Sequence, residues 1–167
     1  MSAVRTLGAV PAYDHQVSVF VVERRTAMSA AEAWERVTDW SAHAAGVPLT
    51  RARTVTPGPP GLGSRFVVRT GVGRLGVDDP MEVVRWEPPS AGRPGVCRLA
   101  KRGRVVLGRA EITVYAEGSG ARVVWEEALR LRGLPRLFDP ALRRAGRLLF
   151  GRALAGVLAE EARAQDI

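Results

Sequence analysis

Two charged residues, Lys101 and Glu127, are where the types and spacing in this sequence point to chemistry. In Val96-Cys97-Arg98-Leu99-Ala100-Lys101, strand alternation that sends Arg98 outward puts Cys97, Leu99 and Lys101 on the opposite, inner face. In Val123-Val124-Trp125-Glu126-Glu127-Ala128-Leu129-Arg130, it sends Glu126 and Arg130 out and Val123, Trp125, Glu127 and Leu129 in. A charge on an inner face is costly unless paired. Lys101 and Glu127 are therefore expected to pair with each other or with arginines, or to hold the polar head of a ligand. As acid–base or enolate-stabilising groups they are the candidate catalytic residues, since apolar surroundings raise a glutamate pKa and lower a lysine pKa. The competing expectation places both at strand ends in reach of water, because a single bulge reverses the parity.

Other chemical signatures are weaker. Gly71-Val72-Gly73-Arg74-Leu75-Gly76 spells a dinucleotide fingerprint, but that mechanism needs a helix N-terminus behind it, and Val77-Asp78-Asp79-Pro80 leads into another strand. A hairpin connection is the better reading, with Asp78 and Asp79 solvated in it. His15, His43 and Cys97 do not have the spacing of three or four convergent metal ligands, so neither a metal nor a cofactor is expected. Cys97 on a strand reads as a small buried apolar residue rather than a nucleophile. Trp34, Trp40 and Trp86 read as core, whereas Trp125 falls on the same face as Glu127.

Composition narrows the setting. A chain of 167 residues with a single cysteine can bury a substantial core without a disulfide. The net charge of +8 raises nucleic acid as a partner, yet Lys101 is the only lysine among 25 basic residues, and the arginines are scattered without a basic run. That skew suits GC-rich coding, and a solvated basic surface is expected instead of nucleic-acid binding. Neither an apolar leader nor a membrane span is apparent, so the expectation is a soluble, cytoplasmic chain.

The elements that must position these residues follow from periodicity. Residues 1–13 have none and read as a tail before one domain over 14–167. A β-branched stretch over Gln16-Val17-Ser18-Val19-Phe20-Val21-Val22-Glu23-Arg24 reads as a strand. Ser29 and Glu32 form a capping box for a short helix, followed by a second helix or turn over Trp40 to Ala45. Six strands are expected at 50–56, 64–71, 80–86, 95–102, 104–117 and 121–131, joined by turn-rich connections as an antiparallel meander, with Gly108 marking a bulge. The chain ends in a long amphipathic helix capped by Asp139 and running to Arg163. Leu142, Ala145, Gly146, Leu149, Phe150, Ala153, Leu154 and Val157 share its inward face, with Gly156 also inward, while Arg143, Arg144, Arg147 and Gly151 point away.

This order of an opening strand, two short helices, six strands and a long helix resembles the START-like, or helix-grip, superfamily, including its polyketide cyclase/dehydrase and lipid-transport branch. The residues carrying the resemblance are Ser29-Ala30-Ala31-Glu32-Ala33-Trp34 with Asp39-Trp40, Gly61-Leu62-Gly63-Ser64-Arg65-Phe66, Met81 through Pro89, and Ala121 through Glu127. The resemblance implies an α+β fold in which a seven-stranded antiparallel sheet wraps around the C-terminal helix. It also implies a cavity between them for an apolar or aromatic small molecule. Phe66, Val68, Met81, Leu99, Tyr115, Trp125, Leu149, Phe150 and Ala153 are the residues expected to line it. Some members of the superfamily catalyse and others only bind, so membership implies a pocket rather than a mechanism.

Overall fold

The computed structural model describes residues 17–159. The expected tail over 1–13, His15, and the end of the last helix over 160–163 lie outside the described residues. The chain begins with strand β1 (Ser18–Thr26), helices α1 (Ala30–Val37) and α2 (Trp40–Ala45), and strands β2 (Thr50–Thr54) and β3 (Arg65–Thr70). It continues through β4 (Val77–Glu87), β5 (Gly95–Lys101), β6 (Val106–Glu117) and β7 (Gly120–Leu131), ending in α3 (Asp139–Ala159).

The strands form one antiparallel seven-stranded sheet in the order β1-β7-β6-β5-β4-β3-β2. Strands β2 to β7 are a meander of neighbours, whereas β1 and β2 lie at opposite edges, so α1 and α2 carry the chain across the whole sheet. Ser29 makes that crossing definite: its hydroxyl accepts from Glu32 N, while the Glu32 carboxylate accepts from Ser29 N at 2.8 Å. Asp39 caps α2 by accepting from the N–H groups of Ser41 and Ala42.

One face of the sheet is apolar and concave toward the helices. Phe20 and Val22 of β1, Met81 and Val83 of β4, Cys97 and Leu99 of β5, Ala110, Ile112 and Val114 of β6, and Val123 and Trp125 of β7 form the core there. Helix α3 packs on β1, α1 and α2. Gly146 makes the close approach possible, because a Cβ on it would lie 2.5 Å from the Phe20 ring.

Two local expectations are corrected. Helix α3 begins at Asp139 itself, since a 3-10 turn over Arg136–Phe138 runs directly into it. The Gly108 position keeps an unbroken register with β7; glycine is needed because φ is +130° and a Cβ would fall on the Ala128 carbonyl oxygen. The register shift lies instead between Val83 and Arg85, where β4 pairs with β5, and it turns Arg85 out to Arg98 and Trp86 in to Cys97.

Candidate functional site

Lys101, Asp79 and Glu127 meet on the concave face. Asp79 pairs with Val68 of β3 and precedes Met81 by two residues, so it shares Met81's inward face. Lys101 pairs with Met81 from the other side. Its ammonium donates to Asp79 Oδ2 at 2.6 Å, lies 2.9 Å from Glu127 Oε1 in an ion pair, and approaches Met81 Sδ at 3.8 Å. The Lys101 and Glu127 side chains are 3% and 0% exposed, and that of Asp79 16%.

Glu127 reaches Lys101 across an intervening strand. Ala110 of β6 sits between Glu127 of β7 and Leu99 of β5. Two strand spacings amount to about 10 Å, a gap that two long side chains bridge only over a small residue. Trp125 Nε1 donates to Glu127 Oε2 at 2.9 Å, which fixes the carboxylate plane. Asp79 Oδ1 is buried without a hydrogen-bond partner among the described residues, and the Oε1 of Glu127 meets Lys101 through charge rather than an aligned hydrogen bond.

Two carboxylates therefore share one ammonium away from water. Burial raises the Glu127 pKa against the opposing pull of Lys101, and it raises that of Asp79 in the same way. Burial acts to lower the Lys101 pKa, but the charges of Glu127 and Asp79 outweigh it and hold the amine above its ordinary value. The cluster thus keeps its lysine charged and makes each carboxyl easier to protonate than a free one, the direction an acid–base group requires.

A line of aromatic rings approaches this cluster. Phe66 stacks on Trp40 at 4.5 Å and 5°, Trp40 faces His43 at 6.3 Å, and His43 meets Trp125 edge-on at 4.8 Å. Trp125 then meets Phe150 at 5.1 Å, and Phe150 meets Phe20 at 5.4 Å. His43 Nε2–H donates to the Val37 carbonyl at 2.7 Å, Nδ1 is buried without a hydrogen-bond partner among the described residues, and burial lowers the pKa to about 4. Where α3 packs on β1, the rings of Phe20, Phe150 and Trp125 fill the space. A cavity of about 240 Å³ opens beside Trp40 and Phe66, between the α1–α2 turn and the β2–β3 loop. A wider groove, lined by Pro140, Arg143, Arg144, Arg147 and Leu148, runs along the solvent side of α3.

The expected lining residues divide. Phe66, Val68, Met81, Leu99 and Trp125 share the concave face, and Phe150 and Ala153 face it from α3. Tyr115 does not: β6 turns Ala110, Ile112 and Val114 inward, which sends Tyr115 to the convex face, where the Arg122 guanidinium covers its ring at 4.2 Å. Leu149 is 44% exposed at the edge of the α3 packing face, and Ala145 and Gly156 are exposed as well. Gly151, expected to point away, is buried beside Arg24 and Val22 of β1.

Sequence reasoning missed Asp79, His43 and Trp40 as parts of the site. Asp79 was legible in one respect: starting the strand at Val77 puts it in phase with Met81. The glycine-rich stretch is indeed the β3–β4 connection, a single 3-10 turn in which Arg69 donates to Asp78 and to the Gly73 carbonyl. Cys97 is buried and its thiol pKa is pushed up to about 12, far from a nucleophile's range. Among the described residues no three His, Cys, Asp or Glu side chains converge as a metal site requires, and no helix is long and apolar enough to cross a membrane.

By sequence the chain matches no family profile and no curated protein. In structure it is similar to the Zhui aromatase/cyclase from Streptomyces sp. R1128, with a TM-score of 0.62 at 16% identity, over 90% of this chain and 96% of that one. It is similar to TTHA0849 from Thermus thermophilus, with a TM-score of 0.61 at 18% identity, over 89% and 99%. A norcoclaurine synthase point mutant from Thalictrum flavum, in complex with a transition-state analogue, superposes with a TM-score of 0.57 at 14% identity, over 87% and 96%. With its seven-stranded antiparallel sheet curled against a long C-terminal helix, the chain has the helix-grip fold that these proteins share.

Proposed function

We propose that this protein binds an apolar or aromatic small molecule on the concave face between α3 and strands β3 to β5, with Asp79, Lys101 and Glu127 receiving its polar end. The observation that carries this reading is the convergence of an aromatic line and a buried ion cluster at Trp125–Glu127. Burying two carboxylates and an ammonium is costly where a hydrophobic core would serve as well, so their presence points to a role beyond packing. The test is uptake of a neutral fluorescent apolar probe by the wild type and by Met81→Trp, which enlarges a side chain beside Lys101. The variant is expected to lose uptake while still melting cooperatively; undiminished uptake places the ligand elsewhere.

A second reading is an enzyme resembling a polyketide aromatase/cyclase. It is favoured by Glu127, a wholly buried carboxyl with a raised pKa next to a charged lysine. In that reading Glu127 moves a proton and Lys101 stabilises an enolate. Glu127→Gln is then expected to lose turnover on an aromatic-forming substrate and to keep binding it, and retained turnover removes Glu127 from the chemistry.

A further inference from the structure

We infer that the polar end of the bound molecule is a neutral hydrogen-bond donor, a phenol or alcohol hydroxyl, and that Asp79 Oδ1 accepts it. This rests on the binding site proposed above and names the class of ligand it takes. Lys101 has three N–H bonds, and three groups surround its nitrogen: Asp79 Oδ2 at 2.6 Å, Glu127 Oε1 at 2.9 Å and Met81 Sδ at 3.8 Å. With its side chain only 3% exposed, the ammonium is enclosed by these groups.

Acceptor capacity is not. One Glu127 oxygen accepts from Trp125 Nε1 and the other faces Lys101, whereas Asp79 Oδ1 has no hydrogen-bond partner among the described residues. Asp79 is also the most exposed of the three, and its neighbour across the ladder, Val68, is only half-buried. Oδ1 itself is covered, so a ligand entering beside Val68 and Met81 takes the place of what covers it and there meets a carboxylate oxygen that lacks a donor.

The charge count gives the same answer. Two carboxylates against one ammonium leave no net positive charge to attract an anion, with or without a proton on one carboxyl, so a carboxylate-bearing ligand finds no favourable field. A hydroxyl supplies the donor that is lacking, and a hydrogen bond to a charged acceptor is the stronger kind.

Three probes sharing one ring system test this: 2-naphthol, 2-methylnaphthalene and 2-naphthoate, titrated against the full chain by quenching of tryptophan fluorescence. Wild type is expected to bind naphthol at least about tenfold more tightly than methylnaphthalene, with naphthoate weakest. In Asp79→Leu, which leaves Lys101 and Glu127 as a one-to-one pair, naphthol and methylnaphthalene should bind alike. If methylnaphthalene binds wild type as well as naphthol does, the hydroxyl preference is overturned while the apolar site stands. Tighter binding of naphthoate overturns it too, as does a naphthol preference that survives in Asp79→Leu. Absence of binding by all three overturns this inference and the binding site together. The ranking on wild type decides the matter even if Asp79→Leu does not fold.

Discussion

The two faces of the sheet carry ion pairs of the same chemistry in opposite settings. On the convex face, Arg98 of β5 reaches Glu111 of β6 at 2.6 Å, Arg122 and Arg25 share Glu117, and Arg102 and Arg65 share Glu82. All of these side chains stay in reach of water; those of Arg98 and Glu111 are 44% and 31% exposed, and the least exposed, Glu82 and Arg122, keep 22% and 24%. On the concave face the cluster of Asp79, Lys101 and Glu127 is nearly dry. Arg98 and Lys101, whose side chain enters the buried cluster, are three positions apart on β5 and so point to opposite faces. A two-residue alternation therefore divides ion pairs that are near-neutral for stability from ones that carry a large desolvation cost. The convex ladders also account for part of the arginine excess, which serves as a solvated, paired surface.

The largest break in this comparison is Lys101→Met. It leaves two carboxylates in the interior without their cation, and the expected loss is about 3–5 kcal/mol in urea unfolding. Replacing all three residues, as Asp79→Leu with Lys101→Met and Glu127→Leu, removes the charges together and is expected to restore stability to the wild-type level or above it. A single variant that loses less than about 1 kcal/mol, the scale of a surface pair, shows that water reaches the cluster.

His43 sharpens the contrast from the apolar side. It is buried and neutral, and its pKa falls from the ordinary 6.5 to about 4 chiefly through burial. The unfolded chain therefore takes up a proton at a pH where the folded one does not. The stability associated with neutral His43 is complete above 6.5 and is lost as the pH falls toward 4, by about 3 kcal/mol in all. Glu127 acts in the opposite sense, because its raised pKa favours the folded state as protons are added. Comparing wild type with His43→Gln at each pH cancels that contribution. The variant is expected to lack the decline between 6.5 and 4, and an unchanged decline assigns it to other groups.

The sequence made the order of elements legible because turn residues punctuate nearly every strand and Ser29 with Glu32 signals the first helix. Parity also placed Lys101 and Glu127 inward, since both follow clear apolar alternations that no bulge interrupts before them. Asp79 was obscured by its neighbours: Asp78-Asp79-Pro80 has the composition of a turn, and only pairing with Val68 makes it strand. Tyr115 was assigned inward although in-phase counting from Ile112 and Val114 sends it out. Leu149 shows a limit of helical projection, which gives the centre of an apolar face but not its edge. That edge depends on where Phe20 meets Gly146, a long-range contact.

The smallest expected effect closes the comparison from the convex side. A double-mutant cycle on Arg98→Ala and Glu111→Ala removes a cross-strand pair whose Cα atoms are register partners. Its geometry is favourable, since both Arg98 Nε and Nη2 approach Glu111 Oε2, so a low coupling energy cannot be blamed on poor alignment. Water screens the pair, and fixing two long side chains offsets much of the attraction. The coupling is expected to be about 0.2–1 kcal/mol and to shrink as salt is raised. A coupling of several kcal/mol that resists salt places the convex pair in the same electrostatic regime as Lys101, and exposure then ceases to be what separates the two faces.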